Sequence, residues 1–194
     1  MIAAEEVVLV LLAAGRSERF GAADKLEADL NGIPLGLHVV AALADVPFGA
    51  RLAVRSGCGL DVAAYGYTDI ANPRPERGMS GSVRLGVECA RTMGATAVLI
   101  ALADMPCVTA AHVRRLLDAG GADDAVVASS DGTKPTPPAL FGRGRFDALL
   151  GLTGDAGARD LLRGGQHVTT DPAELVDIDT LEELRALRDR VSRR

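Results

Sequence analysis

Two uninterrupted apolar runs limit most strongly what this chain can fold into. Residues 7–12 are VVLVLL and residues 97–102 are AVLIAL. A segment that is apolar at every position, instead of at alternate positions, is typical of a strand buried on both faces, as in a parallel sheet covered by helices. The sequence therefore predicts that both runs are strands of such a sheet.

Helical patterns alternate with these strands. The predicted helices span residues 34–44, 80–93, 109–119 and 180–190, and shorter strands are predicted at 51–55 and 124–129. Thr109 is the expected N-cap of the third helix, and Thr180 with Glu183 forms a capping box before the last. Alternation over 194 residues predicts a single α/β domain, residues 1–194, with helices on both faces of a mostly parallel sheet.

Composition excludes several classes of function. The net charge is −5, aromatic residues make up 3% of the chain, and tryptophan is absent, which argues against nucleic-acid binding. Three dispersed cysteines, without a C-x-x-C pair, argue against a disulfide framework and a zinc site. The apolar run at residues 7–14 is too short for a membrane span and follows two glutamates, unlike a signal peptide. We therefore expect a cytoplasmic protein without a membrane partner.

The connection after the first strand has the composition of a polyphosphate-binding loop. Residues 13–26 are AAGRSERFGAADKL, about twice the length of a tight strand-to-helix turn. Gly15 allows backbone N–H groups to approach an anion, and Arg16, Arg19 and Lys25 supply positive charge. The spacing is neither that of a P-loop nor that of a dinucleotide-binding fingerprint. An ordinary charged surface connection is the alternative.

Acidic residues at two places are candidate metal ligands. Asp104 follows the AVLIAL strand and so lies at the carboxyl edge of the sheet, where ligands of such sheets bind. Asp179 is a second candidate and Asp177 a weaker third. Mg²⁺ is commonly held by one or two carboxylates together with substrate phosphates and water. The alternative is that each acid only caps the turn or helix that follows it.

Five blocks of sequence, spread from the first strand to the last helix, form a recognisable series. They are Leu12, Ala13, Ala14, Gly15, Ser17, Arg19, Phe20, Gly21 and Lys25; Asn72 and Pro73 with GMSGS at 78–82; LADMP at 102–106; GDAGAR at 154–159; and DIDT at 177–180. In this order they resemble the MobA-like NTP transferases, and among these most closely the molybdenum cofactor cytidylyltransferases.

The resemblance implies a Rossmann-like three-layer sandwich and Mg²⁺-dependent transfer of CMP from CTP to a phosphorylated acceptor, with molybdopterin suspected and pyrophosphate released. It assigns catalysis to Arg19, Lys25 and Asp104, and the metal to Asp104 and Asp179. The residues it assigns to the nucleotide are Leu12, Ala13, Ala14, Gly15, Arg19 and Lys25 at the phosphate end and Gly78, Ser80 and Ser82 near the base. It assigns the acceptor to Asp155 and Arg159.

Several alternatives stay open at the level of sequence. CTP is favoured over GTP by Ala14, where guanylyl-transferring relatives usually have glycine, and by the GMSGS segment. A sugar or alcohol phosphate is an alternative acceptor. A non-catalytic nucleotide- or cofactor-binding chaperone of a molybdenum hydroxylase is an alternative function. Three residues separate Gly21 from Lys25, whereas many relatives have two, so the reach of Lys25 toward a phosphate is also open.

Overall fold

The computed structural model describes residues 1–15, 20, 24–154 and 157–191. Within these residues the strands are β1 (Val7–Ala13), β2 (Asp29–Leu30), β3 (Ile33–Pro34), β4 (Ala50–Arg55), β5 (Thr68–Ala71), β6 (Ala97–Leu102), β7 (Val126–Ser130), β8 (Pro135–Gly142) and β9 (Gln166–Thr169). β2 and β3 form a small hairpin, and the other seven form one sheet in the order β5-β4-β1-β6-β8-β7-β9. Every pairing in that sheet is parallel except the two made by β8. The predicted mostly parallel sheet is confirmed.

Helices cover both faces of this sheet. They are α1 (Leu35–Ala42), α2 (Met79–Thr92), α3 (Ala110–Ala119), α4 (Phe146–Leu150), α5 (Gly157–Arg163) and α6 (Leu181–Val191). Alternate residues of β1 pack with α1 and α3 on one face and with α2, α4 and α5 on the other. All seven residues of β1 are buried, which explains why its sequence is apolar throughout. In the described part of the chain, no helix has the length and apolar character needed to cross a bilayer.

Strand β8 was not predicted from the sequence. It runs antiparallel between β6 and β7, although it contains three prolines, which lack the N–H that a strand ladder uses. The pairing with β7 skips two of them, because Ala128 lies opposite Ala139 and Ser129 opposite Thr136. The Ser129 hydroxyl donates to the Pro138 carbonyl at 2.6 Å. A buried hydroxyl therefore stabilises the backbone at the irregularity.

A third hydrophobic cluster attaches the C-terminal helix beside the first loop. Phe20, Leu35, Ile178, Leu184 and Leu187 are buried together in it. Ile178 lies in the segment before α6, and Phe20 lies in the loop that follows β1. Packing between these distant parts of the sequence brings the C-terminal acidic segment to the carboxyl edge of the sheet.

A glycine permits close packing of α2 on the central strand. A Cβ built on Gly86 would lie against the Val10 side chain, well inside van der Waals distance. We predict that Gly86→Ala lowers the free energy of unfolding by about 1–3 kcal/mol through overpacking, although alanine is favoured over glycine within a helix by about 1 kcal/mol. Chemical denaturation measures this change.

The matched control is Gly81→Ala in the same helix. A Cβ there would meet its nearest neighbour, Arg77, at 3.9 Å, which is ordinary contact. Equal stability changes in the two variants would contradict the packing explanation.

Candidate active site

Backbone hydrogen bonds assemble the carboxyl edge of the sheet. The Ala103 N–H donates to the Leu12 carbonyl at 3.1 Å, which continues the contact between β1 and β6 beyond their ends. The Ile178 N–H donates to the Asp104 carbonyl at 2.9 Å. Asp179 follows Ile178 directly, so the two candidate metal ligands are brought together by main-chain contacts, although 75 positions separate them in the sequence.

Lys25 completes this group. It begins a short 3₁₀ helix, Lys25–Glu27, in which the Asp24 carboxylate accepts the Leu26 N–H. The Lys25 side chain is almost wholly buried, and its Nζ donates to Asp104 Oδ2 and to Asp179 Oδ1, each at 2.8 Å. Three residues that the sequence resemblance assigned to phosphate and metal thus lie in direct contact, and the longer spacing before Lys25 does not keep it from the site.

Negative charge dominates the surroundings of this group. Burial by itself lowers the pKa of Lys25, but the attraction of Asp104 and Asp179 outweighs it and raises that pKa above its usual value. Burial raises the pKa of Asp104, the Lys25 ammonium opposes that shift, and repulsion from Asp177 and Asp179 adds to it. The charges of the two acids thus explain the raised pKa of Lys25, whereas burial is the main cause of the raised pKa of Asp104.

Among the residues that the structure describes, one carboxylate oxygen of the site has no hydrogen-bond partner. This oxygen is Asp104 Oδ1, which is buried. An unpaired buried carboxylate oxygen is costly unless a donor or cation occupies the space beside it. The Asp179 side chain is the more open of the two acids, with 42% of its surface exposed against 24% for Asp104. The site therefore has both an unused ligand atom and access from solvent.

Asp179 is held in place by the first turn of α6. The Glu183 carboxylate accepts the N–H groups of Asp179 and Thr180, both at 2.8 Å, and the Thr180 hydroxyl accepts the Glu183 N–H at 3.2 Å. This confirms the predicted capping box. Sequence reasoning identified Glu183 only as a helix cap, whereas the structure shows that it also fixes the backbone of a candidate metal ligand.

The end of β1 supplies backbone to the same edge. Leu12, Ala13 and Ala14 are buried, and Gly15 is exposed with open space where a Cβ would stand. The Cys58 thiol donates to the Ala13 carbonyl at 3.7 Å. The chain therefore leaves the sheet here through a residue without a side chain, at the side of the site where the loop begins.

The predicted base-binding segment forms the start of α2. Gly78 has φ 80° and ψ −177°, a conformation essentially restricted to glycine. Ser80 and Ser82 are buried, and the Asn72 side-chain amide donates to Ser82 Oγ at 3.0 Å. The Ser82 hydroxyl is thus engaged within the protein, by a residue that sequence analysis quoted only as part of a motif. The role of these three residues in base recognition stays a prediction.

A groove with several arginines lies along the outer face of α2. Its volume is about 540 Å³, and Asn72, Arg74, Arg77 and Arg84 line it. Sequence reasoning did not single out these arginines, because isolated arginines at a helix surface carry no motif. Glu88 and Asp147 also line the groove, and both pair with Arg91, so the charge of the groove is mixed with arginines in excess.

Three more residues were predicted to bind substrate, namely Arg19, Asp155 and Arg159. Arg19 and Asp155 lie outside the described residues. Arg159 is exposed on α5, whose start lies beyond the turn at Gly154. Their assignment to the triphosphate and to the acceptor stays a prediction.

Comparison with known proteins shows to which family the chain belongs. The model of the MobA-like NTP transferase domain matches residues 9–171. The chain belongs to the MobA-like NTP transferase family. Membership makes it a nucleotidyltransferase and agrees with the family inferred from the sequence blocks.

Individual relatives differ in their names. The purine catabolism protein PucB of Bacillus subtilis (strain 168) is 39% identical over 119 residues, which are 58% of this chain and 57% of PucB. A molybdenum cofactor guanylyltransferase of Methylibium petroleiphilum is 31% identical over 204 residues, covering 96% of this chain and 98% of its own. A structure of Rv0371c of Mycobacterium tuberculosis H37Rv, in complex with manganese, has a TM-score of 0.71 and 26% identity, and the match covers 94% of this chain and 98% of that one.

We predict that Glu183→Ala lowers the free energy of unfolding by up to about 1 kcal/mol, because an exposed helix cap is partly replaced by water. The hydrogen bond from the Asp179 N–H, with those of Thr180, lowers the pKa of Glu183 from 4.5. A lowered carboxyl pKa stabilises the fold above pH 4.5, and this contribution is lost as the pH falls through the folded-state value. The stability difference between wild type and variant should therefore shrink in acid.

The neighbouring exposed glutamate provides the control. Glu182→Ala removes a carboxylate from the same turn without removing the cap. Thermal unfolding of both variants at pH 7 and in acid measures the effect, and a Glu183 contribution that does not depend on pH would contradict the assignment.

Proposed function

We propose that this protein transfers CMP from CTP to a phosphorylated acceptor, in the first place molybdopterin, and releases pyrophosphate. The observation that carries this proposal is the contact of Lys25 with Asp104 and Asp179 at the carboxyl edge of the sheet. A buried cation beside two acids is suited to a substrate that is itself highly charged and that arrives with a metal. Family membership supports the reaction class.

The donor set fits Mg²⁺. Asp104 and Asp179 offer two carboxylates, one with an oxygen that lacks a partner among the described residues. Among those residues there is no group of three or more His, Cys, Asp or Glu side chains placed to hold a metal, so substrate phosphates and water would supply the other ligands, as is usual for Mg²⁺. The bound metal would offset charge on the phosphates during transfer. The manganese complex of the mycobacterial relative supports a divalent cation.

The chain's own groups position the reactants. In the proposed complex the Lys25 ammonium binds phosphate oxygens of the triphosphate. The backbone N–H groups at Gly15 bind the same triphosphate. An oxygen of the acceptor's phosphate forms a bond to the α-phosphorus, the bond from that phosphorus to the bridging oxygen breaks, and pyrophosphate leaves. Such a displacement needs alignment and charge stabilisation and requires no protein nucleophile.

The choice of CTP is supported by Ala14, which stands where guanylyl-transferring relatives usually have glycine. Ala14 is buried directly after β1. GTP is the second candidate, because the Methylibium relative, which matches over nearly its full length, is named a guanylyltransferase.

The acceptor and the setting follow from the same resemblance. We place the acceptor's phosphate near Asp155 and Arg159, with a molybdenum hydroxylase as the recipient of the product and the cytoplasm as the compartment. A sugar or alcohol phosphate is the alternative acceptor. A chaperone that binds CTP tightly without releasing pyrophosphate is the alternative from another class.

The reaction is tested by pyrophosphate release from each of the four NTPs with Mg²⁺ and molybdopterin, a sugar phosphate or an alcohol phosphate. We expect CTP with molybdopterin to react fastest and Asp104→Ala to lower its turnover on the order of 10²-fold, because phosphate charge is then left uncompensated. The control is Asp118→Ala, which removes an exposed acid from α3. A near-normal rate for Asp104→Ala would show that Asp104 is not needed for catalysis.

Nucleotide choice has its own test. We predict that Ala14→Gly raises kcat/KM for GTP relative to CTP by on the order of tenfold, because one methyl group in a pocket is worth about that factor in discrimination. Steady-state kinetics with both nucleotides measure the ratio. Equal changes for GTP and CTP would show that Ala14 does not discriminate between the bases.

A further inference from the structure

The Lys25 ammonium bridges one oxygen of each acid, so it occupies the space of any metal that would bridge the same two oxygens. Its Nζ is 2.8 Å from an oxygen of Asp104 and 2.8 Å from an oxygen of Asp179. A magnesium ion approaches such oxygens to about 2.0–2.1 Å, so it cannot share the space between these two oxygens with the ammonium. One cation must leave before the other can bridge this pair of oxygens.

We propose that Lys25 acts as an internal cation that keeps free metal out of the site and leaves the two acids only when nucleotide phosphates bind its ammonium. The inference rests on the proposed function, because the phosphates of the nucleotide are what draw the lysine away. It assigns to Lys25 a second role, the control of the order in which metal and nucleotide bind.

The energetics favour this order. Free metal would have to break two charge-assisted hydrogen bonds and leave a buried ammonium beside a divalent cation, which is costly on both counts. A triphosphate removes the cost of an unpaired ammonium, because its oxygens accept hydrogen bonds from Lys25 and also supply ligands to the metal. The flexible four-carbon stem of lysine allows the ammonium to move between acids and phosphates without a change in the backbone.

The sequence makes the movement directly observable. It contains two lysines, Lys25 and Lys134, and Lys134 is exposed in the turn between β7 and β8. Protein labelled with ¹³C at lysine Cε therefore gives two lysine signals, which Lys134→Met assigns. We expect Mg²⁺ alone to leave both signals in place, and Mg²⁺ with a non-transferable CTP or GTP analogue to shift the Lys25 signal alone.

Metal binding gives a second readout that does not depend on activity. Mn²⁺ binding followed by electron paramagnetic resonance, without nucleotide, should be at least about tenfold tighter in Lys25→Met than in wild type, since tenfold corresponds to about 1.4 kcal/mol. Lys134→Met is the matched control and should bind Mn²⁺ as wild type does. Circular dichroism and thermal unfolding show that each variant is folded.

The outcomes separate this inference from the function on which it rests. Equal Mn²⁺ affinity in wild type and Lys25→Met, or a Lys25 signal that shifts with Mg²⁺ alone, overturns the internal-cation role even if pyrophosphate is released normally. Tighter Mn²⁺ binding by Lys25→Met with no pyrophosphate release by wild type supports the competition between lysine and metal and contradicts the enzyme. If Lys25→Met does not fold, the lysine signals of the wild-type protein decide.

Discussion

The contact of one buried ammonium with two carboxylates is the interaction on which the site depends. Lys25 comes from the loop after β1, Asp104 from the end of β6 and Asp179 from the segment before α6. Bringing two acids together at the edge of a sheet is unfavourable without a cation. The lysine supplies that cation within the protein. This balance of charges is the physical basis of the proposed binding of a metal together with a polyphosphate.

Packing at a distance from the charged groups brings the site residues to the same edge of the sheet. β1 and β6 are adjacent parallel strands, so their carboxyl ends lie side by side. The C-terminal segment reaches this edge because Ile178 is buried in the cluster that holds α6 and because its N–H binds the Asp104 carbonyl. Glu183 then fixes the backbone at Asp179. Apolar burial and main-chain hydrogen bonds thus offset the repulsion between the two carboxylates.

Sequence reasoning predicted the features that local patterns encode. β1 and β6 are buried on both faces and appear as continuous apolar runs, and the capping box before α6 is local. It missed β5 and β9, whose residues are mostly exposed, and β8, whose prolines are accommodated by its pairing with β7. The family could be predicted because its motifs occur along the sequence in the family's order. The bridging position of Lys25 could not be predicted, because it depends on contacts between residues 79 and 154 positions apart.

The two acids and the lysine are proposed to form one metal-dependent phosphate site. The most direct measurement is the affinity of a non-transferable CTP or GTP analogue, by calorimetry with and without Mg²⁺, for the wild type and for Asp179→Asn. We expect Mg²⁺ to strengthen binding to the wild type and this gain to fall at least about tenfold in the variant, more than 1 kcal/mol. An identical gain from Mg²⁺ in both proteins would show that the nucleotide alone holds the metal and that Asp179 is not a metal ligand.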